Sequence, residues 1–158
     1  MVATPSALTD PAAFAAAYLD SLTLGAGQFC TNPGLLLVPR GCGFADTAAS
    51  QIQSTTGGPL VNEGIRDQLA QRMGRVLSLE RAEVIAAGTA SGEGFTAAPS
   101  LISVPLETAF GDPHGVSTEC FGPVGVVIEY DSLSRQSVWC DAFQAVSSGR
   151  STPPKATK

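Results

Sequence analysis

The chain has 158 residues, 44% of them hydrophobic, and a formal net charge of −5. That length and apolar content fit one ordinary domain with its own core. The charge is spread without a long run of either sign, so no basic stripe competes for phosphate backbones or anionic lipid, and nucleic acid and membrane partners are excluded as expectations.

Thr9 or Asp10 can cap a helix with Pro11 at its first position, and Phe14, Tyr18 and Leu22 then recur at four-residue spacing. The helix leads into GAGQFCTNPG, residues 25–34, where glycines permit positive φ or close approach and Pro33-Gly34 shapes the exit. Cys30 sits inside this loop. The stretch 21–39 is uncharged, but its glycines, prolines and amides do not suit a membrane span. LLLVP, residues 35–39, reads as a short strand buried on both faces. A loop fixed between a helix and a buried strand is a rigidly anchored place for chemistry.

Residues 45–54 are weakly helical at best, and Gly57 to Pro59 ends them. The run 64–76 predicts a helix with Ile65, Leu69, Met73 and Val76 inward and Arg66, Arg72 and Arg75 on a solvated face. AEVIAAG and PSLISVP predict strands on either side of GTASGEG, whose glycines lack the order of a phosphate-binding loop. Gly122-Pro123 bends the chain into a β-branched strand, Val124 to Tyr130, and thereby holds residues 119–121 in place. Residues 134–147 could form a last helix, and 149–158 have the composition of a disordered tail, leaving residues 1–148 as the domain. Helices alternating with apolar strands predict an α/β fold.

Cys30, Cys42, Cys120 and Cys140 are spaced by 12, 78 and 20 positions, which matches neither a CxxC motif nor paired zinc ligands. No metal site is expected, and Cys42, Cys120 and Cys140 are structural by default. The first residues lack a basic, apolar leader, so reduced thiols in a cytoplasm are the expectation. His114, the sole histidine, lies in the turn-forming GDPHG. With His114 as base for Cys30 the chain would be a cysteine hydrolase, but no third, orienting residue is indicated.

The loop GAGQFCTNPG and the run Glu119-Cys120-Phe121-Gly122-Pro123, with GEGFTAAPSLI between them, resemble motifs of the aldehyde dehydrogenase superfamily over about residues 21–131. Within it, SLTLGAGQFCTNPGLLLV followed by GGPLVNEGI is most similar to the alpha-ketoglutarate semialdehyde (2,5-dioxovalerate) dehydrogenases. The resemblance implies part of a catalytic domain, with a mostly parallel sheet flanked by helices. It also implies oxidation of an aldehyde, here an oxo-acid semialdehyde, with NADP or NAD as cofactor. Cys30 would be the nucleophile, working through a thiohemiacetal and a thioester, with its own backbone N–H as an oxyanion donor. A thiol suits both steps, being strongly nucleophilic as thiolate and a ready leaving group. Glu119 would bind the nicotinamide ribose, Phe121 would pack near the nicotinamide ring, and Phe29 and Thr31 would line the aldehyde pocket. The parent enzyme would be a homo-oligomer.

Members of the family are much longer, and their dinucleotide domain and glutamate base lie farther upstream than the 29 residues before Cys30 allow. The isolated chain is therefore expected to lack full turnover and to expose an apolar face. The alternative is a non-catalytic remnant acting as a binding or oligomerisation module.

Overall fold

Helix α1 (Pro11–Thr23) starts where the Asp10 carboxylate accepts the N–H groups of Ala12 and Ala13 at 3.1 and 3.0 Å, so Asp10 rather than Thr9 is the cap. The computed structural model describes residues 1–131. The helix expected at 134–147 and the tail at 149–158 lie outside that range.

Tyr18 and Leu22 of α1 are buried, while Phe14 is half-buried. Strand β1 (Leu35–Pro39) follows, with the residues its pattern predicts. Next comes α2 (Phe44–Ile52), a full helix where only weak helicity was expected. Packing explains the difference. Phe44, Ala48 and Ile52 are all buried, and the Phe44 ring meets Phe14 and Tyr18 edge-on, with centroids 5.7 and 5.6 Å apart.

After β2 (Thr56–Gly57), α3 (Glu63–Leu77) is capped by Asn62, whose side chain accepts the Ile65 N–H at 2.9 Å. Leu69 and Val76 are buried, and Ile65 and Met73 pack half-buried beside them. Arg72 and Arg75 are exposed as expected. Arg66 also lies outward, on the surface, where it pairs with Glu63 at 2.9 Å and Asp67 at 2.7 Å and its guanidinium lies 4.9 Å from the Phe95 ring centre.

Strands β3 (Glu83–Ala87), β4 (Thr89–Ala90) and β5 (Ser100–Ser103) precede two short helices, α4 (Leu106–Gly111) and α5 (Pro113–Val116), and then β6 (Val124–Tyr130). The main sheet has the order β1-β6-β5-β3; β1 and β5 run parallel to β6, and β3 is antiparallel to β5. The mostly parallel α/β architecture holds. The outer edge of β1 is covered by the first residues, with Ala3 N–H donating to Leu37 O at 2.9 Å and Leu37 N–H to Met1 O at 3.0 Å.

Alternating strand residues feed two cores. Leu36, Val38, Leu101 and Val127 pack on the side of α1 and α2; Leu37, Ile102, Val126 and Ile128 pack with Leu69 and Val76 of α3. Among the described residues no helix is long and apolar enough to cross a membrane, and no group of acidic, histidine or cysteine side chains is placed to hold a metal ion.

Candidate active site

The three mutually parallel strands start at one end of the sheet, and the segments entering them, residues 24–34, 95–99 and 118–123, gather there. The first contains a left-handed run at Gly25, Ala26 and Gly27, with φ of 57°, 55° and 71°. Glycine at 27 is obligatory for a second reason. A Cβ there would lie 2.2 Å from the carbonyl carbon of Gly122 and 2.4 Å from the Pro123 nitrogen. The cysteine loop and the run 119–123 are therefore in direct backbone contact.

Beyond that contact, Asn32 N–H donates to Phe29 O at 3.0 Å, closing a tight turn with Cys30 and Thr31 at its tip. Such a turn leaves its central N–H groups unused. Among the described residues neither the N–H nor the thiol of Cys30 has a hydrogen-bond partner, and Cys30 and Thr31 are exposed. Phe29 is half-exposed at 50%, and Leu24 and Val61 are more exposed still, at 63% and 76%. The apolar exposure expected of this chain is thus partly gathered on the segments beside the thiol.

Three side chains to which sequence reasoning gave no role at the site frame the loop. The Tyr18 hydroxyl donates to Pro33 O at 3.0 Å, and the Asn32 amide donates to Leu22 O at 3.0 Å. Gln28 bonds across to the segment before α3, accepting from Val61 N–H at 2.9 Å. Each joins residues 10 or more positions apart, so no local spacing announces them.

On the other side of the contact, Glu119 is exposed and Phe121 half-buried; with Gln68 and Arg72 of α3 they line a cavity of about 340 Å³. Leu69 seats the backbone here, since a Cβ on Gly122 would lie 2.6 Å from its Cδ2. Cys120 points into the structure and behaves as a structural thiol: burial pushes it up to about 11, with the Arg72 charge opposing and Glu119 adding to the rise. His114 is exposed on α5, and none of its described hydrogen bonds joins it to Cys30. It sits on a one-turn helix instead of in the turn expected of GDPHG.

A larger cavity, of about 970 Å³, opens at the opposite end of the sheet and is lined by Arg40, Glu83, Ser103, Glu129 and neighbours. Open α/β sheets usually bind ligands at that carboxyl end. Its lining offers no cysteine or histidine, whereas the chemically equipped loops meet at the amino ends.

No family model matches the chain. It is 34% identical over 135 residues to alpha-ketoglutaric semialdehyde dehydrogenase 2 of Azospirillum brasilense, an alignment covering 84% of this chain and 26% of that protein. It is 29% identical over 114 residues to alpha-ketoglutaric semialdehyde dehydrogenase of Acinetobacter baylyi, covering 70% and 22%. The chain thus spans about a quarter of the length of these curated relatives. In fold it matches the NAD+ complex of an aldehyde dehydrogenase from Bacillus cereus with a TM-score of 0.68 at 21% identity, over 84% of this chain and 28% of that one. Lactaldehyde dehydrogenase from Escherichia coli matches with a TM-score of 0.67 at 24% identity, over 84% and 30%.

Proposed function

The chain belongs by sequence and fold to the aldehyde dehydrogenase superfamily, as part of a catalytic domain, and on that premise we propose that it carries the thiol and the ribose carboxylate of an NAD(P)-dependent enzyme oxidising an aldehyde to a carboxylate. The observation that carries this reading is the backbone contact of Gly27 with Gly122 and Pro123, which puts the Cys30 turn beside Glu119 and Phe121. The names of the curated relatives support an oxo-acid semialdehyde as the substrate class.

The residues present fit the nicotinamide half of a dinucleotide. Glu119 is exposed beside a cavity, where its carboxylate can accept hydrogen bonds from ribose hydroxyls, and Phe121 offers an apolar face in the same cavity. When bound there, the dinucleotide supplies the hydride acceptor. The chain's own part begins with the Cys30 thiolate forming a carbon–sulfur bond to the aldehyde carbon, while the carbonyl oxygen becomes an alkoxide next to the free Cys30 N–H. With a dinucleotide held by Glu119 and Phe121 to accept a hydride from that carbon, the group left on Cys30 would be a thioester. Water then adds to the thioester, the carbon–sulfur bond breaks, and the carboxylate leaves with the thiol regenerated. Phe29 and Thr31, flanking the thiol, line the aldehyde's approach.

Since the chain spans about a quarter of the length of its curated relatives, its part in this reading is to supply the thiol and the ribose carboxylate to the larger architecture those relatives have.

The test is the rate of Cys30 alkylation by iodoacetamide, read by mass spectrometry against Cys120 as internal reference, with NADP or NAD added and withheld and a Cys30→Ser control. Labelling of Cys30 faster than Cys120, slowed by one dinucleotide, supports the assignment. A Cys30 no faster than Cys120 and indifferent to both dinucleotides would refute it.

A further inference from the structure

We propose that Gln28 is a positioning residue for the Cys30 thiol, an inference that rests on the reading of Cys30 as the nucleophile. Its side-chain amide is used at both ends. Oε1 accepts the Val61 N–H at 2.9 Å, and Nε2 donates to Gly25 O at 3.1 Å and Pro59 O at 3.3 Å. The bond to Gly25 closes the left-handed run onto itself, and the bonds to Pro59 and Val61 tie that run to a segment more than 30 positions away.

That second segment is itself anchored. Leu60 N–H donates to Phe95 O at 2.6 Å and Ala97 N–H to Gly58 O at 3.2 Å, joining it to the stretch that enters β5. The Gln28 side chain thus links the start of the Cys30 turn, through residues 58–61, to the stretch that enters β5. This tie is distinct from the Tyr18 and Asn32 bonds between α1 and the loop exit. The brace matters because Ala26 holds a positive φ of 55° that an L-residue adopts only when its surroundings impose it.

The chemistry selects glutamine. Leucine has the volume but neither donor nor acceptor, and glutamate keeps the acceptor for Val61 while losing both donors to the carbonyls of Gly25 and Pro59. Asparagine is one methylene too short to repeat the span.

The experiment compares the 158-residue chain with its Gln28→Leu and Gln28→Glu variants by amide exchange at Asn32 and Val61 and by the pH profile of Cys30 alkylation with iodoacetamide. In Gln28→Leu, exchange at both amides is expected to rise roughly tenfold or more, with β6 amides unchanged and the Cys30 profile displaced. In Gln28→Glu, Val61 regains protection while Asn32 stays fast. If Asn32 exchange and the Cys30 profile in Gln28→Leu stay within about twofold of the parent, the amide merely caps Val61 and the inference is overturned. Should Gln28→Leu lose protection in β6 as well, Gln28→Glu decides by the same criterion at Asn32. A parent Cys30 that reacts no faster than Cys120, in a chain whose Gln28 variants still loosen the turn and displace the Cys30 profile, would leave the positioning role standing and defeat the nucleophile reading instead.

Discussion

The α-carbon of Gly27 faces the Gly122–Pro123 peptide so closely that the space for a methyl group is already occupied by backbone, with the carbonyl oxygen of Gly122 2.3 Å from where a Cβ would sit. Neither side can yield by rotating a side chain. Gly27→Ala must therefore pay both for a positive φ and for overpacking, a loss of about 2–5 kcal/mol. A urea midpoint unchanged in this variant would mean that the contact does not exist.

Cys30, by contrast, has no packing role. It is exposed and without a hydrogen-bond partner among the described residues. Cys30→Ala is expected to leave stability within about 0.5 kcal/mol of the parent while abolishing the fast-alkylating thiol. A large loss of stability would reveal a structural cysteine.

Tyr18 is buried and its hydroxyl holds the loop exit through Pro33. Tyr18→Phe keeps the ring against Phe44 but strands a carbonyl, at a cost of about 1–3 kcal/mol. Chemical denaturation measures the loss, and the Asn32 amide should exchange faster in the same variant.

Alkaline pH should destabilise the fold in a defined window. The Cys120 thiol stands at about 11 in the folded chain against an ordinary 9.0. Between those values the unfolded chain releases a proton that the folded chain retains, so stability is fully present below pH 9 and falls as pH rises toward about 11. Burial also raises the Tyr18 phenol above its ordinary 10.0, which extends the fall upward. Urea midpoints measured from pH 8 to 11 should decline, and Cys120→Ala should flatten the part of the decline that starts near pH 9.

Glu119→Gln removes the charge but keeps the size of an exposed side chain. Stability should be unchanged, whereas protection of Cys30 by a dinucleotide should weaken roughly tenfold or more, since a charge-assisted acceptor for ribose hydroxyls is lost. Undiminished protection would remove Glu119 from the cofactor site.

Much of this was legible in the residues because local signals and tertiary demands agree. Asp10-Pro11 starts a helix, β1 is an apolar run bounded by Gly34 and Pro39, and β6 is a β-branched run entered through Gly122-Pro123; both strands end up largely buried on both faces. The strength of α2 was hidden, because the helix is only nine residues long and Gly43 gives it no capping side chain, so that the packing of Phe44 on α1 has to hold it. Helices as short as α4 and α5 have too few turns to show a period. At the candidate site, flanking motifs singled out Cys30 and Glu119, and the contact of Gly27 with Gly122 brings their two segments together. The frame of Tyr18, Gln28 and Asn32 could not be read, because side chains reaching distant backbone carbonyls and amides leave no pattern along the chain.

Because the thiol loop lies at the amino ends of the parallel strands, the Arg40–Gly43 turn lies at the far end of β1, next to exposed Asp131. A protein tethered to a gold or glass support through an insertion in that turn would present Cys30 to the bulk solution. Immobilisation, often a matter of chance, becomes here a choice of orientation that the order of the strands has already made.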